Sequence, residues 1–369
     1  MKVLWVARAP APYRYPVWCS LAEMHSLRVG FLHERGLARD WKVLPSDSFE
    51  QFVFRATGLP YREDALWTLR PGWKGAVSGV DAVVFQGAWD TPAFWQILGW
   101  ATRRKMRKVL FYESTLASMR HVRGPVARAR AFFMRRMDVI VTPGEAASSA
   151  VIAQGIPPSS VVTSVNVVDV AGFRAAAVAA REDGGSKASG HVFVVVSRLI
   201  PRKRVDAVIR AFGAMAYPAD RLLIVGDGPE RTALEEDARV TRLEGSASIE
   251  FLGQLSERGV QGVYAEAQTL VLASSEEVWG LVVNEALAAG LHVVVTSCCG
   301  VAPSVSKMPG VTVTAADDDE ALASAMAASR DQWRGWIDQP PILRHTGERL
   351  AGDISVALTR REGRWHARL

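Results

Sequence analysis

Two acidic and two basic residues in the second half of the chain have the types and spacing of a site that holds a diphosphate beside sugars. Arg198 and Lys203 follow an apolar run, and Glu277 and Glu285 are separated by seven residues. An arginine fork and a lysine point charge both suit diphosphate oxygens, and carboxylates accept hydrogen bonds from sugar hydroxyls. Eight positions are about two helical turns, so Glu285 is expected to face the same side as Glu277.

The residues between the two acids predict how such a site is built. A strand is expected to end near Ala273, and a helix is expected to begin near Gly280. The free N–H groups at a helix start carry partial positive charge and bind phosphate, and a glycine there allows close approach of the backbone. Glu285 stands in an otherwise apolar helix, where a carboxylate requires a partner or a function.

This region resembles the family 4 retaining glycosyltransferases of GT-B fold (glycosyl transferases group 1). The Glu-x7-Glu spacing carries the resemblance together with residues 197–206 (SRLIPRKRVD), 226–229 (GDGP), 250–255 (EFLGQL) and the helix ending in Ala289-Gly290. The resemblance covers most of residues 190–305. The first half of the chain is similar to the family only in its alternation of strand and helix patterns. The resemblance implies an α/β fold of the GT-B type, in which two Rossmann-like domains have parallel sheets facing an interdomain cleft.

The resemblance also implies a role for each matching residue. Arg198 and Lys203 are expected to bind the donor diphosphate and Glu277 the donor sugar, and these three are the expected catalytic residues. The other expected donor contacts form the base-binding loop, the backbone at the phosphates and the ribose contact; they are Leu252, Gly253, Trp279, Gly280, Leu281, Val282 and Glu285.

The implied activity is that of a hexosyltransferase that moves a sugar, with retention of anomeric configuration, from a nucleotide-diphosphate sugar to an acceptor hydroxyl. Cell-surface polysaccharide, glycolipid or secondary-metabolite biosynthesis would use such an enzyme. No metal ion and no cofactor besides the nucleotide-sugar co-substrate are expected, and Asp317, Asp318 and Asp319 are interpreted as an exposed turn rather than a metal-binding motif.

Other functions stay open at this stage. A nucleotide-sugar epimerase, a phosphorylase and a non-catalytic nucleotide-sugar-binding subunit would use the same fold. No G-x-G-x-x-G follows the first strand or the Gly226–Pro229 turn, which argues against a nicotinamide or flavin enzyme.

Residues that follow predicted strands of the first half are candidates for the acceptor side. Arg14 lies in a proline-containing segment where many relatives carry a glycine-rich loop, and it is assigned either to the cleft or to a structural salt bridge. Trp89 and Asp90 are expected at an acceptor surface because an indole stacks on a sugar face, although loop packing also explains Trp89. Glu113 stands where the family often has a histidine, and it is expected to bind an acceptor hydroxyl.

The positive charge of the chain is concentrated in one segment. The net charge is +6, and residues 103–136 contain eleven Lys or Arg residues against one acid, Glu113. Such a cluster suits an anionic membrane surface or a phosphorylated acceptor; nucleic acid is not an expected partner. The residues expected at a membrane surface are basic or aromatic and lie within 119–136: Arg120, Arg123, Arg128, Arg130, Phe132 and Phe133.

The expected acceptor is accordingly a sugar, a polysaccharide or a lipid-linked sugar. The three cysteines have no metal-binding spacing, and no apolar run reaches the length of a membrane span. A cytoplasmic location, peripheral on the inner membrane face, is the corresponding expectation.

The elements that must position these residues follow an alternating rhythm of short apolar runs and helical patterns, which is typical of parallel α/β layers. Strands are predicted at 3–7, 27–32, 82–85, 108–112, 139–142, 160–165, 192–197, 222–225, 249–252, 269–272 and 293–296, and helices at 92–104, 126–136, 205–215, 229–237 and 281–289.

The composition predicts where the domains divide. Residues 1–172 are expected to form an acceptor-binding domain and residues 191–335 a nucleotide-sugar-binding domain. Between them, residues 173–190 are Ala-rich and then rich in Gly, Ser and charge, and they are interpreted as a linker. Residues 336–369 are expected to form a tail that crosses back to the first domain, and the chain from residue 320 onward is less regular than the part before it.

Overall fold

The computed structural model describes residues 1–36, 39–61, 64–87, 89–183 and 190–360. The chain divides into two compact units. The first comprises residues 1–143, 147–165 and the C-terminal stretch from Gly347, and the second comprises residues 144–146 and 166–346.

The strands are, in the first unit, β1 (Lys2–Ala7), β2 (Ser26–Phe31), β3 (Arg35–Gly36), β4 (Arg39–Lys42), β5 (Glu50–Val53), β6 (Ala56–Tyr61), β7 (Asp64–Leu69), β8 (Ala82–Gln86), β9 (Arg107–Phe111), β10 (Val139–Pro143) and β11 (Val161–Ser164). In the second unit they are β12 (Val192–Val196), β13 (Arg221–Val225), β14 (Ser248–Gly253), β15 (Thr269–Leu272), β16 (His292–Thr296) and β17 (Val311–Thr314).

The helices are α1 (Tyr15–Met24), α2 (Trp73–Ala76), α3 (Pro92–Arg103), α4 (Pro125–Met134), α5 (Glu145–Ala153), α6 (Val170–Glu182), α7 (Val205–Met215), α8 (Arg231–Val240), α9 (Glu257–Glu266), α10 (Leu281–Ala288), α11 (Ala302–Val305), α12 (Asp319–Asp331) and α13 (Gly347–Thr359). Single 3₁₀ turns occur at Pro12–Arg14, Pro158–Ser160, Pro201–Lys203 and Pro341–Arg344.

The first unit is built on a parallel sheet with the strand order β11-β10-β9-β8-β1-β2-β5. Strand β1 is buried on both faces, which explains its nearly continuous apolar run. Trp18 of α1 packs against Trp5 and Phe31, with ring centroids 6.0 and 5.7 Å away. The strand order reverses between β1 and β8, and ligands of open parallel sheets bind beyond the carboxyl ends of the strands at such a point.

The second unit has a parallel sheet with the order β14-β13-β12-β15-β16-β17, so its reversal lies between β12 and β15. Helices α7 and α12 cover one face, where Phe212 and Met326 pack with Phe193 and Ile224 in a shared core. No helix in the described ranges is both long enough and apolar enough to cross a membrane.

The predicted elements agree with the structure within three residues, and α7 and β15 agree at both ends. The structure differs from the predicted linker, because residues 173–182 lie in α6 of the second unit. Alanine is the strongest helix former, Phe173 and Ala177 are buried, and the side chain of Asp169 caps the helix start by accepting from Gly172 N at 2.9 Å.

The chain after residue 320 is more regular than predicted, with two helices of thirteen residues each. Helix α12 begins at Asp319, and the carboxylate of Asp318 caps it by accepting from Ala321 N at 2.8 Å. Helix α13 belongs to the first unit, where His25 and Ser355 are joined by a 2.9 Å hydrogen bond. The chain therefore returns to the first unit at Gly347, later than residue 336.

Candidate functional site

Two loops of the second unit meet where its strand order reverses. One loop follows β12 and the other follows β15, which is the neighbouring strand. Ser275 N donates a hydrogen bond to Arg202 O at 2.9 Å, and Arg202 Nη1 donates to Glu276 O at 3.1 Å. The hydrogen bond from Ser275 to Arg202, which joins the two main chains, holds the two loops together at the carboxyl edge of the sheet.

The two loops are also joined by an ion pair between two of the predicted site residues. Lys203 Nζ contacts Glu277 Oε2, and the side chains are only 13% and 16% exposed. Charges that are largely withdrawn from water interact more strongly than surface charges. Arg198, two residues after β12, lies on the same loop as Lys203 with an exposed side chain.

The Gly-Asp-Gly-Pro turn after β13 packs against the loop that carries Arg198 and Lys203. Gly226 has a φ of +131°, and a Cβ at this position would lie 1.8 Å from Ser197 O. A Cβ on Gly228 would lie 2.3 Å from Leu199 O, and Leu199 N donates to Asp227 O at 2.9 Å. Positions 226 and 228 therefore need glycine, because a Cβ at either position would overlap the main chain of the loop after β12. Helix α8 follows this turn and begins at Arg231, two residues later than predicted.

Helix α10 begins directly after the loop that carries Glu277. Gly280 has a φ of +103°, and Gly290 closes the helix with a φ of +88°, as predicted. Leu281 and Val282 form the first turn, whose backbone N–H groups have no intrahelical acceptor. Trp279 is buried, and its Nε1 donates to Asn284 Oδ1 at 2.9 Å, so only its backbone is available for the expected phosphate contact.

Glu285 lies within α10 and accepts a hydrogen bond from Tyr264 Oη of α9 at 3.1 Å. Burial raises the pKa of the Glu285 carboxyl from 4.5 to about 7; the negative charge of Glu257 raises the pKa further, while the Tyr264 hydrogen bond lowers it. Sequence reasoning missed Tyr264, which is 21 positions away and carries no local signal.

Two buried hydroxyls at this edge were also missed. Ser197 Oγ after β12 and Ser274 Oγ after β15 have no hydrogen-bond partner among the described residues. A buried hydroxyl without a partner is costly, so each is a place where a ligand oxygen would complete the bonding. Leu252 and Gly253 lie at the end of β14. They are close to the turn after β13, because Gly253 O accepts a hydrogen bond from Gly226 N at 2.8 Å.

The first unit has its own set of charged residues at the carboxyl edge. Arg8 Nη2 contacts Asp90 Oδ1 at 2.8 Å, and Arg14 Nη2 contacts Glu113 Oε1 at 2.5 Å. Arg14 is fully buried, so the salt-bridge alternative for Arg14 is observed. Trp89 is half-buried, and the guanidinium of Arg130 lies 5.6 Å from its ring centroid.

The basic segment is partly buried, which corrects two of the predicted membrane residues. Phe133 is fully buried, and Arg130 is 4% exposed with its Nη2 donating to His121 O at 2.7 Å. Phe132 is 47% exposed, and the other exposed large apolar residues of 116–136 are Leu116, Val122 and Val126. The exposed arginines of residues 116–136 are Arg120, Arg123, Arg128, Arg135 and Arg136.

The acidic turn before α12 is not simply exposed as expected. Asp318 caps the helix, and Asp319 binds Arg204 Nη2 at 2.6 Å and Arg210 Nη2 at 2.7 Å. Hydrogen bonds from Arg210, and secondarily the charges of Arg210 and Arg204, hold the pKa of Asp319 below its ordinary value. In the part of the chain that the structure describes, no group of three or more His, Cys, Asp or Glu residues has the arrangement of a metal site.

Comparison with known proteins finds a family match within the second unit. Residues 190–330 match the family model of glycosyl transferases group 1. The chain is 29% identical over 174 residues to a component of the phosphatidylinositol N-acetylglucosaminyltransferase of Arabidopsis thaliana, covering 47% of this chain and 37% of that protein. It is 30% identical over 220 residues to D-inositol 3-phosphate glycosyltransferase 2 of Catenulispora acidiphila, covering 57% and 50%. The chain thus spans half or less of the length of these curated relatives.

The likeness to solved structures extends over nearly the whole chain. Anabaena HepE in complex with UDP superimposes with a TM-score of 0.69 at 18% identity, covering 97% of this chain and 94% of that one. At this identity the likeness establishes the fold, and the predicted GT-B fold is confirmed. Residues 190–330 are therefore similar to the glycosyl transferases group 1, and the chain has the GT-B fold.

Proposed function

We propose that this protein is a retaining, metal-independent glycosyltransferase that takes a sugar from a nucleotide-diphosphate donor bound by the second unit. The observation that carries the proposal is the Lys203–Glu277 pair, which joins the ends of β12 and β15 at the strand-order reversal beside the start of α10. Ligands of doubly wound sheets bind at this position.

The positive charge of the site suits the donor diphosphate. Lys203 and Arg198 follow one strand, and the N–H groups of the first turn of α10 follow the other. As the bond to the sugar breaks, negative charge grows on the diphosphate, and preorganised cations and helix N–H groups stabilise that charge. The protein's main contribution to the rate is therefore electrostatic.

The acids of the site suit the two sugars of the donor. Glu277 accepts hydrogen bonds from hydroxyls of the transferred sugar, while its contact with Lys203 keeps it beside the diphosphate. Glu285 accepts from the ribose hydroxyls, and Leu252 and Gly253 border the base. The unpartnered hydroxyl of Ser274 is a further donor for a ligand oxygen.

The proposed reaction balances without a metal or cofactor. The bond between the anomeric carbon and the diphosphate oxygen breaks, and the acceptor oxygen bonds to the same face of the anomeric carbon. The acceptor proton passes to the departing diphosphate oxygen, which is the strongest base formed in the step. Arg198 and Lys203 stay charged throughout.

The known relatives support a nucleotide-sugar donor and a hydroxylated acceptor. HepE was solved with UDP and with UDP-glucose, and the curated relatives are named for transfer to phosphatidylinositol and inositol 3-phosphate. We extend this to the present chain as transfer onto a sugar, a polysaccharide or a lipid-linked sugar, in the synthesis of a cell-surface polysaccharide, a glycolipid or a secondary metabolite.

The proposal is tested by incubating the full chain with UDP- and GDP-sugars and following release of the nucleotide diphosphate, with and without acceptors. Release that continues in EDTA, with a product of unchanged anomeric configuration by NMR, is the expected result. Inversion, or activity abolished by EDTA, contradicts it. Epimerised donor without transfer identifies an epimerase, and donor binding without any turnover identifies a binding subunit.

We further propose a cytoplasmic location with peripheral contact to an anionic membrane through the exposed part of residues 116–136. Exposed Phe132 and Val122 provide apolar contacts, and exposed Arg120 and Arg123 provide charge. Co-sedimentation with vesicles of about 30% phosphatidylglycerol in phosphatidylcholine tests this. Binding that is lost in Arg120→Glu/Arg123→Glu and kept in Arg239→Glu is expected; equal binding to pure phosphatidylcholine contradicts the charge-based contact.

A further inference from the structure

One arginine of helix α6 binds the C-terminal ends of two neighbouring helices in the second unit. Arg181 Nε donates to Ala265 O and Arg181 Nη2 donates to Tyr264 O, both at 3.0 Å, in the last turn of α9. Arg181 Nη1 donates to Ala289 O at 2.8 Å, directly after the last residue of α10. The last carbonyls of a helix lack intrahelical donors and carry partial negative charge. A guanidinium therefore suits both helix ends.

Helices α9 and α10 also carry the hydrogen bond that holds Glu285. Tyr264 Oη of α9 donates to Glu285 Oε2 of α10 at 3.1 Å. Tyr264 is held at its carbonyl oxygen by Arg181, and its ring packs against Phe173 of α6 with ring centroids 6.0 Å apart. Because Arg181 binds both helix ends, it fixes the spacing at which the hydrogen bond between Tyr264 and Glu285 forms.

The guanidinium of Arg181 is covered by a segment that binds the same two helix ends. Its carbon atom lies 4.2 Å from the ring centroid of Trp336. Trp336 Nε1 donates to Ala267 O at 3.0 Å, directly after α9. Ile337 N donates to Gly290 O at 2.9 Å, two residues after α10. The indole shields one face of the guanidinium from water, and hydrogen bonds that are withdrawn from water are electrostatically stronger.

The chemistry of arginine matches this position. Three carbonyl oxygens are bound by three different nitrogens of one rigid, planar group. A lysine ammonium is a point charge on a flexible stem and imposes no fixed angle between its partners. Burial, and secondarily the positive charge of Arg174, lowers the pKa of the Arg181 guanidinium from 12.5 to about 10. Arg181 therefore stays charged at pH 8, and its charge acts on both helix ends.

We propose that Arg181 is a positioning residue of the donor site, which places the Glu285 carboxylate for the ribose hydroxyls and thereby sets the preference of the site for ribose over deoxyribose. The inference rests on the proposed function, which assigns Glu285 to the ribose. The side chains that shift the pKa of the Glu285 carboxyl are Tyr264 and Glu257, both on α9, so a displacement of α9 acts on Glu285 directly. Arg181 lies outside the Glu-x7-Glu motif, in the stretch that was predicted to be a linker.

The test is calorimetric titration of UDP and 2′-deoxy-UDP into the full chain at pH 8, where the Glu285 carboxyl with its pKa of about 7 is ionised. The wild-type chain should bind UDP about tenfold more tightly, because the 2′-hydroxyl donates a charge-assisted hydrogen bond to Glu285. In Arg181→Met this ratio should fall toward unity while the affinity for 2′-deoxy-UDP stays near that of the wild type, since Arg198 and Lys203 are unchanged. A role confined to helix packing would weaken the binding of both nucleotides together. GDP and 2′-deoxy-GDP replace this pair if the chain prefers GDP.

Arg174→Met is the matched control. Arg174 lies on the same helix, two turns earlier, and its guanidinium donates to Ile337 O at 3.0 Å and to Asp338 Oδ1 at 2.8 Å. Arg174→Met should keep the wild-type ratio of the two affinities. Arg181→Lys keeps the positive charge without the fork and should give an intermediate ratio, and it carries the test if Arg181→Met does not fold.

The route through Tyr264 is tested by combining two changes. In a chain that carries Tyr264→Phe, Arg181→Met should alter the ratio very little, because the hydrogen bond that Arg181 positions is already absent. Wild-type discrimination in the Arg181 variants, an equal loss in Arg174→Met, or additive effects of Arg181→Met and Tyr264→Phe would overturn the inference.

Two outcomes for the wild-type chain separate the inference from the proposed function. Equal binding of UDP and 2′-deoxy-UDP by the wild type overturns the inference alone, because the nucleotide is still bound. Absence of binding of UDP and of GDP contradicts the proposed function, and the inference falls with it.

Discussion

Lys203 and Glu277 are 74 positions apart in the sequence and form an ion pair across the strand-order reversal of the second unit. Lys203→Ala is expected to lower kcat by about 10²–10³, the usual effect of losing one preorganised group that stabilises transition-state charge. Glu277→Gln is expected to lower kcat while leaving the affinity for UDP nearly unchanged, because UDP lacks the transferred sugar.

Arg202→Ala is the control for this prediction. Arg202 is the neighbour of Lys203 and donates to a backbone carbonyl, Glu276 O, from an exposed position. Steady-state kinetics of donor consumption give kcat for each variant. A Lys203→Ala enzyme that turns over like Arg202→Ala would remove Lys203 from the catalytic set.

Donor affinity should depend on pH through Glu285. Its pKa is raised to about 7 by burial, so the carboxylate that accepts from ribose forms only as the pH rises through 7. UDP-glucose, whose diphosphate does not titrate in this range, should bind more tightly at pH 8 than at pH 6. Glu285→Gln should remove this dependence, and isothermal titration at both pH values measures it.

The hydrogen bond from Tyr264 Oη lowers the pKa of Glu285. Tyr264→Phe should therefore move the midpoint of the affinity profile to higher pH. Without ligand, the raised pKa means that the folded chain binds the extra proton, so this group's contribution to the unfolding free energy is lost as pH rises from about 4.5 to 7. A Glu285→Gln variant with the wild-type profile would show that another group titrates.

Arg204 has a φ of +49°, in the left-handed region, directly after Lys203. A residue with a side chain is destabilised by about 1 kcal/mol or more in this conformation, and the ion pair with Asp319 offsets it. Asp319→Asn should weaken UDP binding. In a chain that already carries Arg204→Gly, Asp319→Asn should change UDP affinity very little, because glycine adopts the left-handed conformation freely. A double-mutant cycle on UDP affinity measures this coupling; additive effects would contradict it.

His191 should make the second unit less stable in acid. Burial lowers its pKa from 6.5 to about 4; nearby Asp220 acts in the opposite direction, while His292 and Arg330 lower the pKa further. The unfolded chain then takes up the proton first, so stability is full above pH 6.5 and falls toward pH 4. The full shift corresponds to about 3 kcal/mol. Urea unfolding at pH 7.5 and 4.5 should show a smaller loss in His191→Gln than in the wild-type chain.

The second unit could be predicted well because its local signals agree with one another. The apolar run of Thr269–Leu272 and the helical period of Val205–Met215 each coincide with an element of the structure. The linker prediction failed because it gave more weight to the Gly and Ser residues after the Ala-rich piece than to the helix propensity of the alanines and the capping signal of Asp169. Helix α12 was not predicted, because Asp318 was interpreted as part of an acidic turn rather than as a helix cap.

Long-range pairs could not be predicted from the sequence. Arg8 and Asp90 are 82 positions apart, and Arg14 and Glu113 are 99 positions apart. The sequence places each of these residues after a predicted strand. Which arginine binds which carboxylate depends on the strand order, and the strand order is a property of the whole sheet. Arg8 was not singled out at all, although its position directly after β1 matched that of the other candidates.

The central claim is that Arg198 and Lys203 hold the donor diphosphate, and calorimetric titration of UDP and GDP into the full chain tests it most directly. The wild-type chain should bind one of the two nucleotides, the Arg198→Ala/Lys203→Ala variant should lose at least tenfold in affinity, or about 1.4 kcal/mol, and Arg202→Ala should bind as the wild type does. Binding of equal strength in all three proteins, or no binding of either nucleotide by the wild type, would contradict the account.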